Sequence, residues 1–172
     1  MTEDNTENLL TIELKDGTVE IELFPEDAPK HVERIIELAQ EGLYNGVTFH
    51  RVMEGFMAQT GDVKFGNYYD YDENKVGTGG SDKPDLPAEF NERKHVRGTC
   101  SMARSSMPNS ANSQFFICFD TADFLDGDYT VWGQVISGME HVDKIKRGAS
   151  GSGSVTDPDF MSKVFPGKRE GD

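Results

Sequence analysis

The stretch Phe49-His50-Arg51-Val52-Met53-Glu54-Gly55-Phe56-Met57-Ala58-Gln59-Thr60-Gly61-Asp62 decides how this chain is read. Residues two apart in a strand share a face, so Met57 and Gln59 point together. Ser113-Gln114-Phe115-Phe116-Ile117-Cys118 repeats the arrangement, with Gln114 beside Phe116. Each pair sets one polar amide next to a large apolar group. Taken singly, such a pair is also what a strand end gives when its Phe or Met belongs to the core. Two pairs with Arg51 nearby point instead to a shallow apolar pocket rimmed by amides and one guanidinium.

Outward from these segments, short alternating runs continue. Leu10–Lys15 and Thr18–Phe24 alternate around Asp16-Gly17, a hairpin signal because glycine accepts a positive φ. Further short strands are expected at Thr48–Val52, Gly55–Thr60, Gly98–Ala103, Ser113–Phe119, Thr130–Val135 and Met161–Phe165. Between Asp27 and Gly42 the period changes. Val32, Ile35, Ile36 and Ala39 fall at helical spacing, with Asp27 as the expected N-cap. A second helix is expected over Met139–Arg147. Many short strands with two helices read as a barrel or sandwich capped at its ends.

Length and composition bound the function. The chain has 172 residues, a single-domain length, with 17 Lys and Arg against 31 Asp and Glu, a formal net charge of −14. That balance opposes phosphate backbones and anionic lipid, so neither nucleic acid nor membrane is an expected partner. No apolar run is long enough for a transmembrane helix, and residues 1–8 lack the basic and apolar regions of a secretory leader. Cys100 and Cys118 fit no CxxC spacing and His31, His50, His95 and His141 are scattered, so no metal site and no cofactor are expected. Two reduced, buried thiols suit a cytoplasmic protein. The acidic, glycine-rich connection from Asp62 to Glu92 is long enough to be functional or mobile. Its charge suits basic clients, or simply a solvated face. The Gly77-Thr78-Gly79-Gly80 cluster follows no clear strand and is a weak candidate phosphate cradle.

Together, F-H-R-V-x-x-G-F-M-x-Q-x-G-D and the later S-Q-F-F-I resemble the cyclophilin family of peptidyl-prolyl cis-trans isomerases. The resemblance runs from about Leu10 to Val164 and takes in Gly77–Gly80, Ser101-Met102-Ala103, Phe124-Leu125-Asp126-Gly127 and Val131-Trp132-Gly133. The loop from Met102-Ala103-Arg104-Ser105 to Pro108-Asn109-Ser110-Ala111-Asn112 looks like the bacterial type. The resemblance implies a mainly β fold, a closed eight-stranded antiparallel barrel capped by two helices. Residues 9–165 are expected to form the isomerase domain, with tails at 1–8 and 166–172.

It further implies non-covalent catalysis of X–Pro rotation, with Arg51 as the catalytic arginine, Gln59 holding the substrate carbonyl and Gln114 orienting Arg51. Phe56, Met57, Phe116 and Leu125 match the proline pocket. The backbone at Arg104 matches a binder of the flanking chain, and Gly77, Ala103 and Ser105 line the groove before the proline. Phe124 stands where many members carry tryptophan, and Tyr129 where they carry histidine. Both changes occur in bacterial relatives and imply weak cyclosporin binding. The partners implied are proline-containing peptides and unfolded or partly folded proteins, acted on by a monomer. A barrel that binds proline segments without catalysis, as a chaperone would, is the rival reading.

Overall fold

The computed structural model describes residues 8–167; of the expected tails at 1–8 and 166–172, residues 1–7 and 168–172 lie outside the described residues. Eight strands run in chain order: β1 (Leu9–Leu14), β2 (Gly17–Leu23), β3 (Arg51–Met53), β4 (Met57–Thr60), β5 (Thr99–Met102), β6 (Phe115–Cys118), β7 (Val131–Ser137) and β8 (Lys163–Pro166). Helix α1 (Pro29–Gln40) follows β2, and α2 (Met139–Val142) follows β7. The strands form one antiparallel sheet in the order β3-β4-β6-β5-β7-β2-β1-β8.

Alternation gives the sheet two unlike faces. Ala58, Phe115, Ile117, Cys100 and Met102 turn into the main core with Leu10, Ile12, Val19, Ile21, Trp132 and the Ile35–Leu38 stripe of α1. Their strand neighbours Met57, Phe116 and Cys118 turn the other way, into a second cluster with Ala122 and Leu125. Cys100 and Cys118 therefore lie on adjacent strands but on opposite faces, and both are buried free thiols.

The sheet curls but does not close. Among the described residues no ladder joins the edge strands β3 and β8, which corrects the expected closed barrel. The open edge of β3 is met instead by an irregular segment. Val52 N donates to Gly153 O at 2.8 Å, Gly148 N donates to Val52 O at 2.8 Å, and Arg51 bridges Ser154. That segment reads Gly148-Ala149-Ser150-Gly151-Ser152-Gly153, with Gly151 and Gly153 at positive φ. Such backbone cannot extend a regular ladder but can lie close against one.

Three local expectations are also corrected. Leu14 pairs with Gly17, so the β1–β2 turn is Lys15-Asp16 and Gly17 already belongs to the strand. The N-cap of α1 is Ala28, not Asp27, and its side chain makes no cap bond. Asp27 accepts from Arg93 Nε at 2.6 Å. The first-turn N–H groups of α1 are served from afar by Glu89, which accepts from Lys30 N (3.2 Å) and His31 N (2.9 Å) and lies 2.6 Å from His31 Nδ1. Finally, α2 stops at Val142 rather than Arg147, because Lys146 N donates to Asp159 Oδ2 and Gly148 N to Val52 O. Those bonds pull the chain off the helix axis. At the other end Pro166 pairs with Leu10 in β8, and Gly167 N donates to Leu9 O, so this strand ends one residue beyond the expected Met161–Phe165.

The long connection from Asp62 to Glu92 is organised by one buried carboxylate. Asp62 Oδ1 accepts from Lys64 N (3.1 Å) and Phe65 N (2.9 Å), and Oδ2 from Gly77 N (2.7 Å) and Gly79 N (3.0 Å). A Cβ at Gly79 would stand 2.4 Å from Asp62 Oδ1. The glycine cluster thus wraps a carboxylate of its own chain, which accounts for it without a phosphate. Arg34 of α1 fastens the far end, donating to Pro84 O at 2.7 Å.

Candidate active site

The β3–β4 hairpin sets the chemistry. Its register places Arg51 opposite Gln59 and Met53 opposite Met57. Arg51 is exposed, and its guanidinium is held on three sides by uncharged acceptors. Nε donates to Ser152 O at 3.2 Å, Nη1 to Gln59 Oε1 at 3.2 Å, and Nη2 to Met53 Sδ at 3.4 Å.

The amides continue inward as a chain. Gln59 Nε2 donates to Gln114 Oε1 at 3.0 Å, and Gln114 Nε2 donates to Gly77 O (3.0 Å) and Gly79 O (2.9 Å). Each amide therefore accepts on one side and donates on the other, and its orientation is determined. Gln59, not Gln114, touches the arginine. Gln114 reaches the arginine only by way of Gln59, because cross-strand pairing puts Gln59 beside Arg51 while Gln114 lies just ahead of β6.

Beside this polar chain lies an apolar cup. Phe56, Met57, Phe116, Leu125, Tyr129 and Ala103 line a cavity of about 420 Å³ that also takes in Arg51, Gln59, Gly77 and Arg104. Phe116 meets Tyr129 edge-on (5.9 Å, 80°) and stacks against His95 (6.1 Å, 17°). His95 is fully buried. Its Nδ1 lies 2.9 Å from Asp126 Oδ1 and its Nε2 2.8 Å from Ser101 Oγ. Asp126 also accepts from His95 N at 2.7 Å, and this backbone N–H is the main cause holding its carboxyl below the usual range. Asp126, His95 and Ser101 have the connectivity of a nucleophilic triad, but Ser101 is 0% exposed. No substrate can reach its hydroxyl. His95 instead packs beneath the Phe116 ring.

A second cavity of about 580 Å³ shares Gln59, Gly77, Thr78, Ala103 and Arg104 with the first and adds Ser81, Ser105, Ser110 and Asn112. The two form one groove running across the amide chain. The Arg104 side chain is committed elsewhere, donating to Asp128 O (3.0 and 2.7 Å) and lying over Tyr129 at 4.6 Å.

Of the sequence-expected residues, Phe124 alone stands outside both cavities. The 3-10 turn Asp123–Leu125 points Leu125 inward and leaves Phe124 68% exposed, its ring 5.5 Å from Phe56. Sequence reasoning missed Met53 and Ser152, the other two partners of Arg51. Met53 sits two positions from Arg51, on the same strand face, and that spacing was the available signal. Ser152 carried none. His50 lines the cup as well, and burial pulls its pKa down to about 4, so it is neutral near pH 7. No helix among the described residues is long and apolar enough to cross a membrane.

Comparison with known proteins matches residues 9–164 to the family described as cyclophilin type peptidyl-prolyl cis-trans isomerase/CLD. A probable peptidyl-prolyl cis-trans isomerase of Brucella suis is 60% identical over 160 residues, covering 92% of this chain and 82% of that protein. A peptidyl-prolyl cis-trans isomerase of Helicobacter pylori is 41% identical over 141 residues, 80% of each chain. Among solved structures, a Cryptosporidium parvum cyclophilin type isomerase crystallised in the presence of the dipeptide Ala-Pro has a TM-score of 0.80 at 27% identity, covering 94% of this chain and 99% of its own. The cyclophilin AquaCyp293 of Hirschia baltica gives 0.77 at 28% identity, covering 92% and 73%.

Proposed function

The chain belongs to the cyclophilin-type peptidyl-prolyl cis-trans isomerase family and is an isomerase of X–Pro bonds, and from that premise we propose that Arg51 carries its catalysis. Rotation about an X–Pro bond faces a barrier of about 20 kcal/mol because it breaks amide resonance. At the twisted state the prolyl nitrogen gains a lone pair that neither planar ground state offers. A donor aimed at that nitrogen stabilises the transition state selectively.

Arg51 meets the requirement. It stands at the lip of the apolar cup, and none of its three partners carries charge, so its positive charge remains free for the substrate. That is the observation which carries the proposal. The proline ring occupies the cup of Phe56, Met57, Phe116 and Leu125. Gln59 and the Arg104 backbone hold the flanking chain, and residues before the proline lie along Gly77, Ala103 and Ser105. Tyr129 walls the cup. Gln114 keeps Gln59, and through it Arg51, in register.

Substrates are proline-containing peptides and partly folded proteins, on the likeness to a relative crystallised with Ala-Pro present. The domain doing this work spans 9–165, extended by the paired Pro166. Reduced thiols on opposite sheet faces suit the cytoplasm. Phe124 offers cyclosporin an apolar wall without an N–H donor, so binding of that ligand is weak. The decisive test is cis-to-trans conversion of a short proline peptide by Arg51→Ala, with circular dichroism to verify the fold. Turnover should fall about 100-fold or more, the loss of one transition-state donor being worth roughly 2.7–4 kcal/mol. Near-native turnover in the folded variant would remove Arg51 from the mechanism.

A further inference from the structure

Two of the three bonds on the Arg51 guanidinium end on oxygen; the third ends on sulfur. Met53 Sδ lies 3.4 Å from Nη2, and a thioether is a weak acceptor. The same side chain packs against the cluster of Met57, Phe116 and Leu125 that forms the cup. Its seat is built by the segment that meets β3. A Cβ on Gly153, which sits at φ +77°, would come 2.7 Å from Met53 Cγ and 3.1 Å from Arg51 Cγ. Glycine there lets both side chains lie flat against the chain whose Ser152 carbonyl receives Nε.

Met53 is also open to solvent in a way that most of its fellows are not. Met57, Met102 and Met161 are at most 1% exposed. Among the described methionines, Met53 and Met139 are half-buried and Met107 is 67% exposed.

We propose that Met53 is a positioning residue for Arg51 and an oxidation site through which peroxides reversibly lower isomerase activity. The inference rests on Arg51 being the catalytic donor. A peroxide transfers one oxygen atom to Sδ. The sulfur lone pair forms the S–O bond, the O–O bond breaks, the sulfur is oxidised by two electrons and the peroxide leaves as water or an alcohol. The product sulfoxide carries a polar S=O oxygen where a soft sulfur stood. That oxygen is a far better acceptor for a guanidinium N–H, so it holds Nη2 away from the prolyl nitrogen. It also places a polar group against the cup. Weak attachment in the reduced state leaves Nη2 ready to turn toward substrate.

The test treats the full chain with hydrogen peroxide, maps sulfoxides by peptide mass, and follows both turnover and the Arg51 side-chain nitrogen resonances. Expected is about a tenfold loss of kcat/KM, carried by kcat, that tracks Met53 oxidation and reverses with methionine sulfoxide reductase. The Arg51 resonances should move with it. Met53→Leu should turn over about two- to tenfold more slowly, having lost one weak hydrogen bond, and then ignore peroxide. Met107→Leu should match the native chain before and after oxidation. Peroxide sensitivity that persists in Met53→Leu, or Arg51 resonances unmoved by Met53 oxidation, overturns the proposal. If the resonances shift while turnover holds, the Met53 contact stands and the catalytic reading of Arg51 is what fails.

Discussion

Phe115 and Phe116 are neighbours on one strand and inhabit different proteins, chemically speaking. Phe115 turns into the main core, edge-on to Tyr44 (5.6 Å, 86°) and to Trp132 (5.2 Å, 90°), with no exposed surface. Phe116 turns to the other face, where a cavity opens above it and His95, bonded to Asp126 and Ser101, lies below. One face is filled to the density of a solid and contributes stability. The other borders an open cavity of about 420 Å³. A strand of four residues serves both ends because its side-chain period is two.

The sharpest way to break this comparison is to delete each ring. Phe115→Ala should cost about 3–5 kcal/mol of unfolding free energy, as large-to-small core changes do. Phe116→Ala should cost less, since its ring already borders an open cavity, but should abolish most turnover by removing the cup floor. Urea unfolding and peptide isomerisation on both variants decide it. Equal stability losses would mean that the two faces are energetically alike.

Acidity should separate the faces next. His50 lines the functional side and is buried, which pulls its pKa down to about 4; burial moves His31 the same way. The unfolded chain takes up these protons as pH falls through about 6.5, whereas the folded chain resists until lower pH. Stability should therefore decline between about pH 6.5 and 4, His50 alone contributing at most about 3 kcal/mol of the loss. If Arg51 carries catalysis as proposed, turnover should stay level between about pH 6 and 9. Urea midpoints at several pH values give the first curve and initial rates the second. A bell in the rate profile would bring a histidine into the chemistry.

The smallest expected effect concerns Asp62, which joins the functional face to its surrounding connection. Asp62→Asn replaces one carboxylate oxygen with an NH₂ that faces backbone donors. It should cost about 1–3 kcal/mol, the range for a buried polar group left unpaired. Loosening Gly77 and Gly79 should slacken Gln114 and raise KM more than it lowers kcat. Hydrogen exchange at Gly77 and Gly79 would register it. Unchanged protection there would mean that the carboxylate does not hold the connection.

Much of this was legible in the order of residues. Strand positions followed from alternation, and both halves of the cup were marked by a large apolar residue two places from a glutamine. What failed in the reading shares a cause. Asp27 looked like a helix cap because local chemistry favours it there, yet Arg93 takes its carboxylate. The second helix looked as if it ran to Arg147 because Met139, Val142 and Ile145 keep helical spacing, yet Lys146 and Gly148 bond to Asp159 and Val52 instead.

The sequence by itself determined the approximate strands and the two-faced character of the sheet, while the cup residues and the choice of Arg51 came from the resemblance to the family. The strands and their two faces depend on period, turn chemistry and side-chain type, all of which act over a few residues. Tertiary structure alone decided that Glu89 caps a helix 58 residues away, that β3 is covered by a glycine-rich segment rather than by β8, and that Arg51 rests on Met53 and Ser152. The physical reason is that a hydrogen-bond donor is satisfied by whichever acceptor folding brings within about 3 Å. Spacing along the chain carries no record of that meeting.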